Sequence, residues 1–275
     1  MQKPEISIII STYNSEDWLE KVMWSYEAQS FKNFEMVIAD DGSKQPTFDL
    51  IEKMKSLVSY PIIHVWHEDN GFQKSQILNK AILACNADYI LMSDGDCMAR
   101  ADYVQVHIDK REAGYFLSGG YFMLPMEISK LITKDDILSQ RCFNVKWLKT
   151  HGLKSSFKNN KLTAKGFKSQ FLNTITPTNA SWNGHNASGW KKDIVAVNGF
   201  DERMQYGGQD RELGERLFNF GIKSKQIRYS AVCLHLDHPR GYKTKDSIDK
   251  NLKIRAYTKS NKVSKTPYGI EKLVE

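Results

Sequence analysis

The chain has 275 residues, of which 41% are hydrophobic and 26% charged, and this composition excludes a disordered chain and favours a globular protein with a sizeable core. No apolar run approaches the roughly 20 residues of a transmembrane helix, and the N-terminus enters a predicted strand, so we expect neither a membrane span nor a secretory signal. The 39 basic and 32 acidic residues give a net charge of +7.

The first hundred residues alternate between strand-like and helix-like patterns. Short apolar runs predict buried strands, and apolar residues at helical spacing predict helices between them. This alternation predicts a parallel sheet with helices on its faces and right-handed crossovers. The predicted strands are 6–10, 34–39, 62–66 and 89–93, and the predicted helices begin near Ser15, near Pro46 and before Ile77.

After about residue 115 the alternation stops. A strand interrupted by a glycine pair is predicted over 115–124 and a helix over 126–139. Residues 141–185 are polar, basic and irregular, which is typical of a functional loop region or of a partly mobile segment. Further along the chain, helices are predicted over 191–197, 210–220 and about 245–258, and a last strand over 226–236.

The positive charge is unevenly distributed. Residues 137–192 contain ten Lys or Arg and no Asp or Glu, and residues 239–275 contain ten basic and four acidic residues. These stretches either form a solvated, lysine-rich face or attract a negatively charged partner. That partner would be anionic lipid or a phosphate-bearing substrate. Nucleic acid is not expected as a partner, because no nucleic-acid motif accompanies the charge. The four scattered cysteines, none in a Cys-x-x-Cys pair, are interpreted as reduced thiols of a cytoplasmic protein.

Polar residues follow three of the predicted strands. Ser11–Asn14 follow the first, Asp40 and Asp41 the second, and Asp94-Gly95-Asp96 the fourth. In open α/β sheets ligands bind at the carboxyl ends of strands, so these exits predict a ligand crevice. Carboxylates at i and i+2 suit Mg²⁺ or Mn²⁺ better than zinc.

Two histidines follow the last predicted strand. His235 and His238 are three residues apart, so both rings can lie near one cation, and we predict that one or the other is a metal ligand. The remaining histidines have no such context. His64, His67, His107 and His151 are therefore interpreted as structural.

Taken together and in order, these motifs resemble glycosyltransferase family 2. The resemblance covers about residues 5–125 and 180–240, and its last motif resembles the C-terminal region of the galactosyltransferase type. The matching motifs are Thr12-Tyr13-Asn14, Asp40–Ser43, Glu68–Phe72 with Lys74 and Asn79, Asp94–Asp96, Val197–Glu202 and Gly207–Leu213.

The resemblance implies an α/β fold of the GT-A type, with a single Rossmann-like mixed sheet, helices on both faces and a C-terminal acceptor-binding region. It divides the chain into a domain of residues 1–240 and a basic, partly helical extension of residues 241–275. Within the domain, 1–115 is the nucleotide-sugar-binding half and 116–240 the acceptor half. The implied nucleotide-sugar-binding residues are Ser11, Thr12, Tyr13, Asn14, Asp40, Asp41, Asn70, Gly71, Lys74, Asn79, Asp94 and Gly95.

The family also implies chemical roles. Asp41, with Asp40 as a second candidate, holds the nucleobase, since a carboxylate can accept the imide N–H of uracil. Asp96 ligates Mn²⁺ or Mg²⁺, and Asp94 contacts the ribose or reaches the metal through water. Asp210 aligns with the base that deprotonates the acceptor hydroxyl, and Glu212 is the alternative base.

The implied acceptor site lies in the second half. Lys74 is either a ligand of a donor phosphate or a solvated helix lysine, and Trp190 is either acceptor wall or packing anchor. Gln209 stands where the family's motif usually has Glu, so it can hydrogen-bond a sugar but cannot ionise. The acceptor-binding residues predicted here are Trp182, Asn186, Trp190, Gly207, Gly208 and Gln209.

The leading hypothesis is an inverting, metal-dependent hexosyltransferase that moves a sugar from a nucleotide diphosphate donor, expected to be a UDP-sugar, to a glycan or lipid-linked acceptor. The setting it suggests is capsule or lipopolysaccharide biosynthesis, in the cytoplasm or peripherally at the inner face of the membrane. A catalytically inactive nucleotide-sugar or glycan-binding module is the alternative, which Gln209 keeps open. A nucleotidyltransferase is disfavoured because residues 11–15 contain no glycine for a phosphate loop.

Overall fold

The protein is described by a computed structural model that covers residues 3–239 and 244–273. In these ranges the strands form a seven-stranded sheet and a separate three-stranded sheet. The strands are β1 (Ile6–Thr12), β2 (Phe34–Asp40), β3 (Ile62–Trp66), β4 (Tyr89–Asp94), β5 (Cys97–Ala99), β6 (Tyr115–Ser118), β7 (Gly120–Met123), β8 (Ala187–Trp190), β9 (Lys223–Gln226) and β10 (Val232–His235).

The larger sheet has the strand order β3-β2-β1-β4-β8-β6-β9 and is mixed. Strands β1 to β4 pair in parallel, whereas β8 runs antiparallel to β4 and to β6. The predicted α/β fold with a mixed sheet is therefore confirmed. The smaller sheet, in the order β5-β10-β7, was not predicted, because strands of three or four residues are too short to show a period.

Helices cover both faces of the larger sheet. Ile8 and Ile10 of β1 pack in one hydrophobic cluster with α1 (Glu16–Glu27) and α2 (Gln45–Lys55), while Ile9 packs in the other with α3 (Lys74–Ala84) and α11 (Gln209–Asn219). Strands covered on both faces read as continuous apolar runs, which is why β1, β2 and β4 were recognisable. The helices are α1 (Glu16–Glu27), α2 (Gln45–Lys55), α3 (Lys74–Ala84), α4 (Tyr103–Lys110), α5 (Met126–Leu131), α6 (Lys134–Leu138), α7 (Val145–Thr150), α8 (Asn160–Thr163), α9 (Gly166–Ile175), α10 (Lys191–Ala196), α11 (Gln209–Asn219) and α12 (Lys245–Ser260).

Three predictions of secondary structure were wrong. The helix predicted over 126–139 is two helices, because Thr133 starts α6 with a reciprocal cap in which the Thr133 hydroxyl accepts from the Asp136 amide. The strand predicted over 226–236 is β9 and β10, separated by a turn in which the Ser230 and Ala231 amides donate to Ile227 O. The region 141–185, predicted to be irregular, contains α7, α8 and α9.

The described residues of the C-terminal segment, 244–273, pack against the rest of the domain. Asn251 of α12 donates to the carbonyls of Gln205, Tyr206 and Gly207, and Ile270 is 2% exposed in the same cluster as Ile9. The predicted boundary at 240–241 lies outside the described residues. Across the described parts of the chain, no helix combines the length and apolarity needed to cross a bilayer.

Candidate active site

The carboxyl ends of β1 and β4 meet at Ser11. The strand register places Ser11 opposite Asp94, and the Ser11 hydroxyl donates to Asp94 Oδ1 at 2.8 Å. The amide of Gly95 donates to Ser11 O at 2.8 Å, and a Cβ on Gly95 would lie only 3.0 Å from that oxygen. The glycine of the Asp-Gly-Asp motif thus lets the turn after β4 approach β1 closely.

Lys74, the first residue of α3, forms an ion pair with Asp94. Its Nζ lies 2.7 Å from Asp94 Oδ1, and the two side chains are 21% and 24% exposed. Burial alone would lower the pKa of Lys74, but the facing carboxylates of Asp94 and Asp210 outweigh it and raise the pKa. Burial alone would raise the pKa of Asp94, but Lys74 and the Ser11 hydroxyl hold that pKa below its usual range. Lys74 is therefore a fixed cation in a cluster of carboxylates, and not a solvated helix lysine.

The two aspartates after β2 differ in what they can do. Asp40 is 1% exposed, and its oxygens accept from the Ser43 amide and contact His64 Nε2 at 2.9 Å. It holds the turn after β2, and its role at the nucleobase stays a prediction. Asp41 is 7% exposed, and burial raises its pKa although His67 and the Gln73 amide oppose the shift.

Two histidines interpreted as structural lie against this acidic pair. His64 contacts Asp40, and His67 Nε2 lies 2.8 Å from Asp41 Oδ1. Each stands in or just after β3, which is parallel to β2, so the strand ends bring imidazole and carboxylate together. The parallel pairing of β2 and β3 was the feature of the sequence that could have placed these histidines beside Asp40 and Asp41. His67 orients Asp41, which is one of the predicted nucleotide-sugar-binding residues.

Asp96, His235 and His238 form a cluster beyond β4. His235 Nε2 lies 3.7 Å from one Asp96 oxygen and His238 Nε2 lies 2.9 Å from the other. Each ring places its Nδ1 on a main-chain carbonyl, Leu236 O at 2.8 Å and Pro239 O at 2.9 Å. Because a carbonyl only accepts, both Nδ1 atoms carry hydrogen, and the Nε2 atom of each ring is left to face a carboxylate oxygen.

This arrangement fits a divalent cation. Two facing lone pairs repel one another unless a proton or a metal ion lies between them, and histidine ligands of metals commonly donate their other ring N–H to a carbonyl. Asp96, Cys97 and His235 place potential ligand atoms within 4.8 Å of one another. Burial raises the pKa of Cys97, whose thiol donates to Asp96 Oδ1 at 3.3 Å, so Cys97 orients the carboxylate as a neutral thiol.

Asp210 stands at the start of α11 and faces Asp94 across Gly184. The Gly184 amide donates to Asp210 Oδ2 at 2.9 Å. A Cβ on Gly184 would lie 3.4 Å from that oxygen and 3.9 Å from Asp94 Oδ1. Beside them, burial lowers the pKa of His185 to about 4, although Asp94 and Asp210 oppose the shift, so its ring is neutral near pH 7. Sequence reasoning missed Gly184, which no motif marked.

Glu212 does not fit the role of alternative base. Its side chain is 1% exposed and forms a two-pronged ion pair with Arg216, which is itself fully buried. Thr258 of α12 donates to the same carboxylate at 2.9 Å. Glu212 points into the core, whereas Asp210, two residues earlier on the helix, points into the cleft.

The glycines before Asp210 make room for protein, not for sugar. Gly207 and Gly208 have φ values of +111° and +91°, and Cβ atoms there would lie 3.4 Å from Ile248 and 3.1 Å from Arg255 of α12. Gln209 is 7% exposed and accepts from the Gly207 amide at 3.1 Å. These three predicted acceptor ligands therefore shape the loop that presents Asp210.

Three other predicted ligands lie in the core and a fourth, Trp190, is partly buried, so each has protein partners in this structure and its contact with donor or acceptor stays a prediction. Asn79 is fully buried and bonds the main chain of Phe200 in both directions. Trp182 is fully buried against Phe116. Asn186 is fully buried, with its amide bonded to the carbonyls of Gly120 and Ala231. Trp190 pairs with Tyr89 at the opposite end of β4, away from the cleft.

The remaining predicted residues lie at the mouth of the crevice. Tyr13 is 50% exposed, and its hydroxyl donates to Asp69 Oδ2 at 2.9 Å. Asn14 joins two loops, since its amide donates to Ser43 Oγ and its side chain accepts from the Lys44 amide. Asn70 lines a neighbouring cavity of about 310 Å³, and Gly71 turns the chain with a φ of +75°. Thr12 presents its main chain to the Asp41 amide.

The fold is that of the GT-A glycosyltransferases. The model of glycosyl transferase family 2 matches residues 7–148, more than half of the chain, and the protein belongs to this family. The match stops before the motifs around Asp210, so the galactosyltransferase character of that region stays a prediction.

Among curated proteins, the chain is 25% identical over 279 residues to the uncharacterized glycosyltransferase YfnE of Bacillus subtilis, covering 90% of this chain and 68% of YfnE. It is 23% identical to chondroitin synthase of Escherichia coli over 91% of this chain, but spans only 37% of that protein. It is 27% identical to validoxylamine A glucosyltransferase of Streptomyces hygroscopicus subsp. limoneus, over 82% of this chain and 51% of the relative.

Solved structures support the fold. The mannosyltransferase PcManGT of Pyrobaculum calidifontis, in complex with GDP-Man and Mn²⁺, is 15% identical, with a TM-score of 0.56 over 88% of this chain and 59% of its own. TarS 1-349 of S. aureus in complex with UDP-GlcNAc is also 15% identical, with a TM-score of 0.56 over 86% of this chain and 60% of its own.

Proposed function

We propose that the protein is an inverting, metal-dependent hexosyltransferase that moves a sugar from a nucleotide diphosphate donor, expected to be a UDP-sugar, to a hydroxyl of a glycan or lipid-linked acceptor. One relationship carries the proposal. The Asp210 carboxylate faces the Lys74–Asp94 ion pair across Gly184, at the strand exits where the family holds its donor.

The base of the nucleotide binds at Asp41. Its two carboxylate oxygens are oriented by His67 at 2.8 Å and by the Gln73 amide at 3.1 Å, and each oxygen retains a lone pair for a further donor. The imide N–H of uracil is such a donor. Tyr13, half exposed at the mouth, offers a ring on which the base can stack.

The diphosphate lies between Lys74 and the metal-binding cluster. Asp96 with His235 and His238 would hold Mn²⁺ or Mg²⁺, and Asp94 would contact the ribose or meet the metal through water. Such an ion, when bound, offsets the charge that develops on the leaving nucleoside diphosphate. Lys74 contributes a fixed ammonium to the same phosphates, and Asp94 keeps it in place at 2.7 Å.

Asp210 accepts the proton of the acceptor hydroxyl as that oxygen attacks the anomeric carbon. The Gly184 amide fixes one carboxylate oxygen at 2.9 Å and leaves the other oxygen for the acceptor. Attack from the face opposite the departing diphosphate inverts the anomeric centre. Gly184 keeps the space between the two carboxylates free, which a side chain would occupy.

The relatives support a setting in polysaccharide biosynthesis. Chondroitin synthase and a putative teichuronic acid biosynthesis glycosyltransferase of Bacillus subtilis, 27% identical over 39% of this chain, carry names from that chemistry. The acceptor is therefore expected to be a growing surface glycan or its lipid-linked precursor.

A donor panel tests the proposal. The purified chain is incubated with UDP-sugars and with GDP-mannose in the presence of Mn²⁺, and release of the nucleoside diphosphate is measured. We expect release with one UDP-sugar, and we expect Asp210→Asn to reduce it by about 10²-fold or more while UDP affinity stays within a few-fold. Glu215→Gln on the same helix is the control, because Glu215 pairs with Arg255 outside the cleft.

The same experiment separates the alternative of an inactive binding module. Such a module would bind UDP with no turnover under any donor, and Asp210→Asn would then change nothing. This alternative was suggested by Gln209, which stands where the family usually has Glu. Gln209 accepts a hydrogen bond from the Gly207 amide, so its side chain supports the loop before Asp210.

A further inference from the structure

Helix α9 carries an apolar stripe that faces solvent. Phe167, Phe171 and Ile175 are 82%, 52% and 54% exposed, and their spacing of four residues places them on one side of the helix. The two phenyl rings stack with centroids 6.4 Å apart. Phe157, in the turn before α8, is 71% exposed. Four large apolar side chains this exposed in one segment differ from the single ones scattered over most surfaces.

The opposite side of α9 is anchored to the domain. Leu172 is 8% exposed and packs with Ala164 and Tyr229. Asn173 accepts from the Tyr229 amide at 2.8 Å and donates to Ser230 Oγ at 2.9 Å. The helix is therefore held with its apolar stripe outward, and a rotation that buried the stripe would break these bonds.

The charge around the stripe has one sign. The apolar residues lie in the stretch 137–192, which holds ten Lys or Arg and no Asp or Glu. Lys154, Lys158, Lys165 and Lys168 are exposed beside them. An apolar stripe flanked by lysines is the pattern of a helix that lies in the interface of an anionic bilayer.

We propose that α9 and the turn at Phe157 dock the protein on a lipid surface that carries acidic headgroups. The phenyl rings and Ile175 enter the boundary between headgroups and acyl chains, and the lysines lie against lipid phosphates. A second copy of the chain fits less well, because a symmetric contact through this surface would bring lysines against lysines. The inference goes beyond the proposed transfer reaction and does not depend on it.

Vesicle sedimentation tests the inference. The full chain is mixed with vesicles of phosphatidylcholine, or of phosphatidylcholine with phosphatidylglycerol, at low and high salt. We expect binding only to the anionic vesicles, weakened by salt, and a loss of about tenfold or more in affinity for F167S/F171S. The charge variant K165Q/K168Q should lose about fivefold for each lysine.

The matched control is L57S/L131S, which removes two leucines of 47% and 48% exposure outside the acid-free stretch and should bind like the parent. Thermal unfolding of each variant establishes that it folds. If F167S/F171S does not fold, K165Q/K168Q alone tests the inference. The inference would be overturned if the parent did not bind anionic vesicles, or if F167S/F171S and K165Q/K168Q both bound as tightly as the parent. It would also be overturned if the parent were a dimer that F167S/F171S converts to a monomer. Each readout is a binding measurement, so failure of this inference can be distinguished from failure of the proposed sugar transfer.

Discussion

Lys74 Nζ lies 2.7 Å from Asp94 Oδ1, and this contact joins the start of α3 to the exit of β4. Lys74→Met removes the ammonium that we place against the donor diphosphate. A hydrogen bond to a charged group is worth about 1.5–3 kcal/mol, so we expect UDP affinity to fall by about tenfold or more in calorimetric titration. Lys53→Met, which removes an exposed lysine of α2, is the control. Unchanged UDP affinity in Lys74→Met would remove Lys74 from the donor site.

The Asp96 cluster predicts that metal binding stabilises the fold. At a hundredfold excess over its Kd, Mn²⁺ should add about 2.7 kcal/mol to the free energy of unfolding, and EDTA should reverse the gain. Asp96→Asn and His238→Gln should each abolish most of the gain, measured by thermal unfolding with and without the ion. His151→Gln, an exposed histidine outside the cluster, should retain it. A gain of equal size in Asp96→Asn would place the ion elsewhere.

The buried ion pair of Glu212 and Arg216 predicts a defect in stability. Glu212→Gln leaves the Arg216 charge in the core with no carboxylate partner, so we expect a loss of about 3 kcal/mol or more in urea unfolding. Glu215→Gln on the same helix removes a partly exposed pair and should cost about 1 kcal/mol or less. If Glu212→Gln were as stable as the parent but inactive, Glu212 would regain the role of base.

His107 predicts a loss of stability in acid. Burial lowers its pKa to about 3, from an ordinary value of 6.5. Below about pH 6.5 the unfolded chain takes up a proton that the folded chain refuses until about pH 3, so stability falls by about 1.4 kcal/mol per pH unit over that window.

His107→Gln should be less stable than the parent at pH 7, because it disturbs the bonds to Ser188 and Asn186. Since glutamine does not titrate, the difference between the two should narrow as pH falls to 6 and then 5 in urea unfolding. His151→Gln should keep the parent's slope. A difference that stays constant with pH would mean that His107 takes up its proton as readily in the folded protein as in the unfolded chain.

Much of the site was predictable because parallel strands end at one edge. Ser11, Asp41 and Asp94 each follow a buried apolar run, and strand pairing brings them together whatever the rest of the chain does. The helices that cover those strands showed their period for the same reason. Asp210 required the family's motif, since nothing in its spacing connects it to β4.

Several predicted ligands are residues whose exposure depends on distant packing. Trp182, Asn186 and Asn79 have the side chains of a sugar site, yet each is fully buried beneath it. The glycines before Asp210 look like room for a ligand, and α12 fills that room. Composition cannot distinguish a polar side chain that meets a ligand from one that satisfies a buried carbonyl.

The sequence by itself determined the parallel strands near the crevice, the acidic strand exits and the one-signed charge of residues 137–192, because these follow from local pattern and composition. Only the tertiary structure decided that Asp210 rather than Glu212 faces the cleft, that His67 and Gly184 belong to the site, and that α9 turns its phenyl rings outward. The physical reason is that burial is settled between elements far apart in the chain, where no local period reports which face is covered.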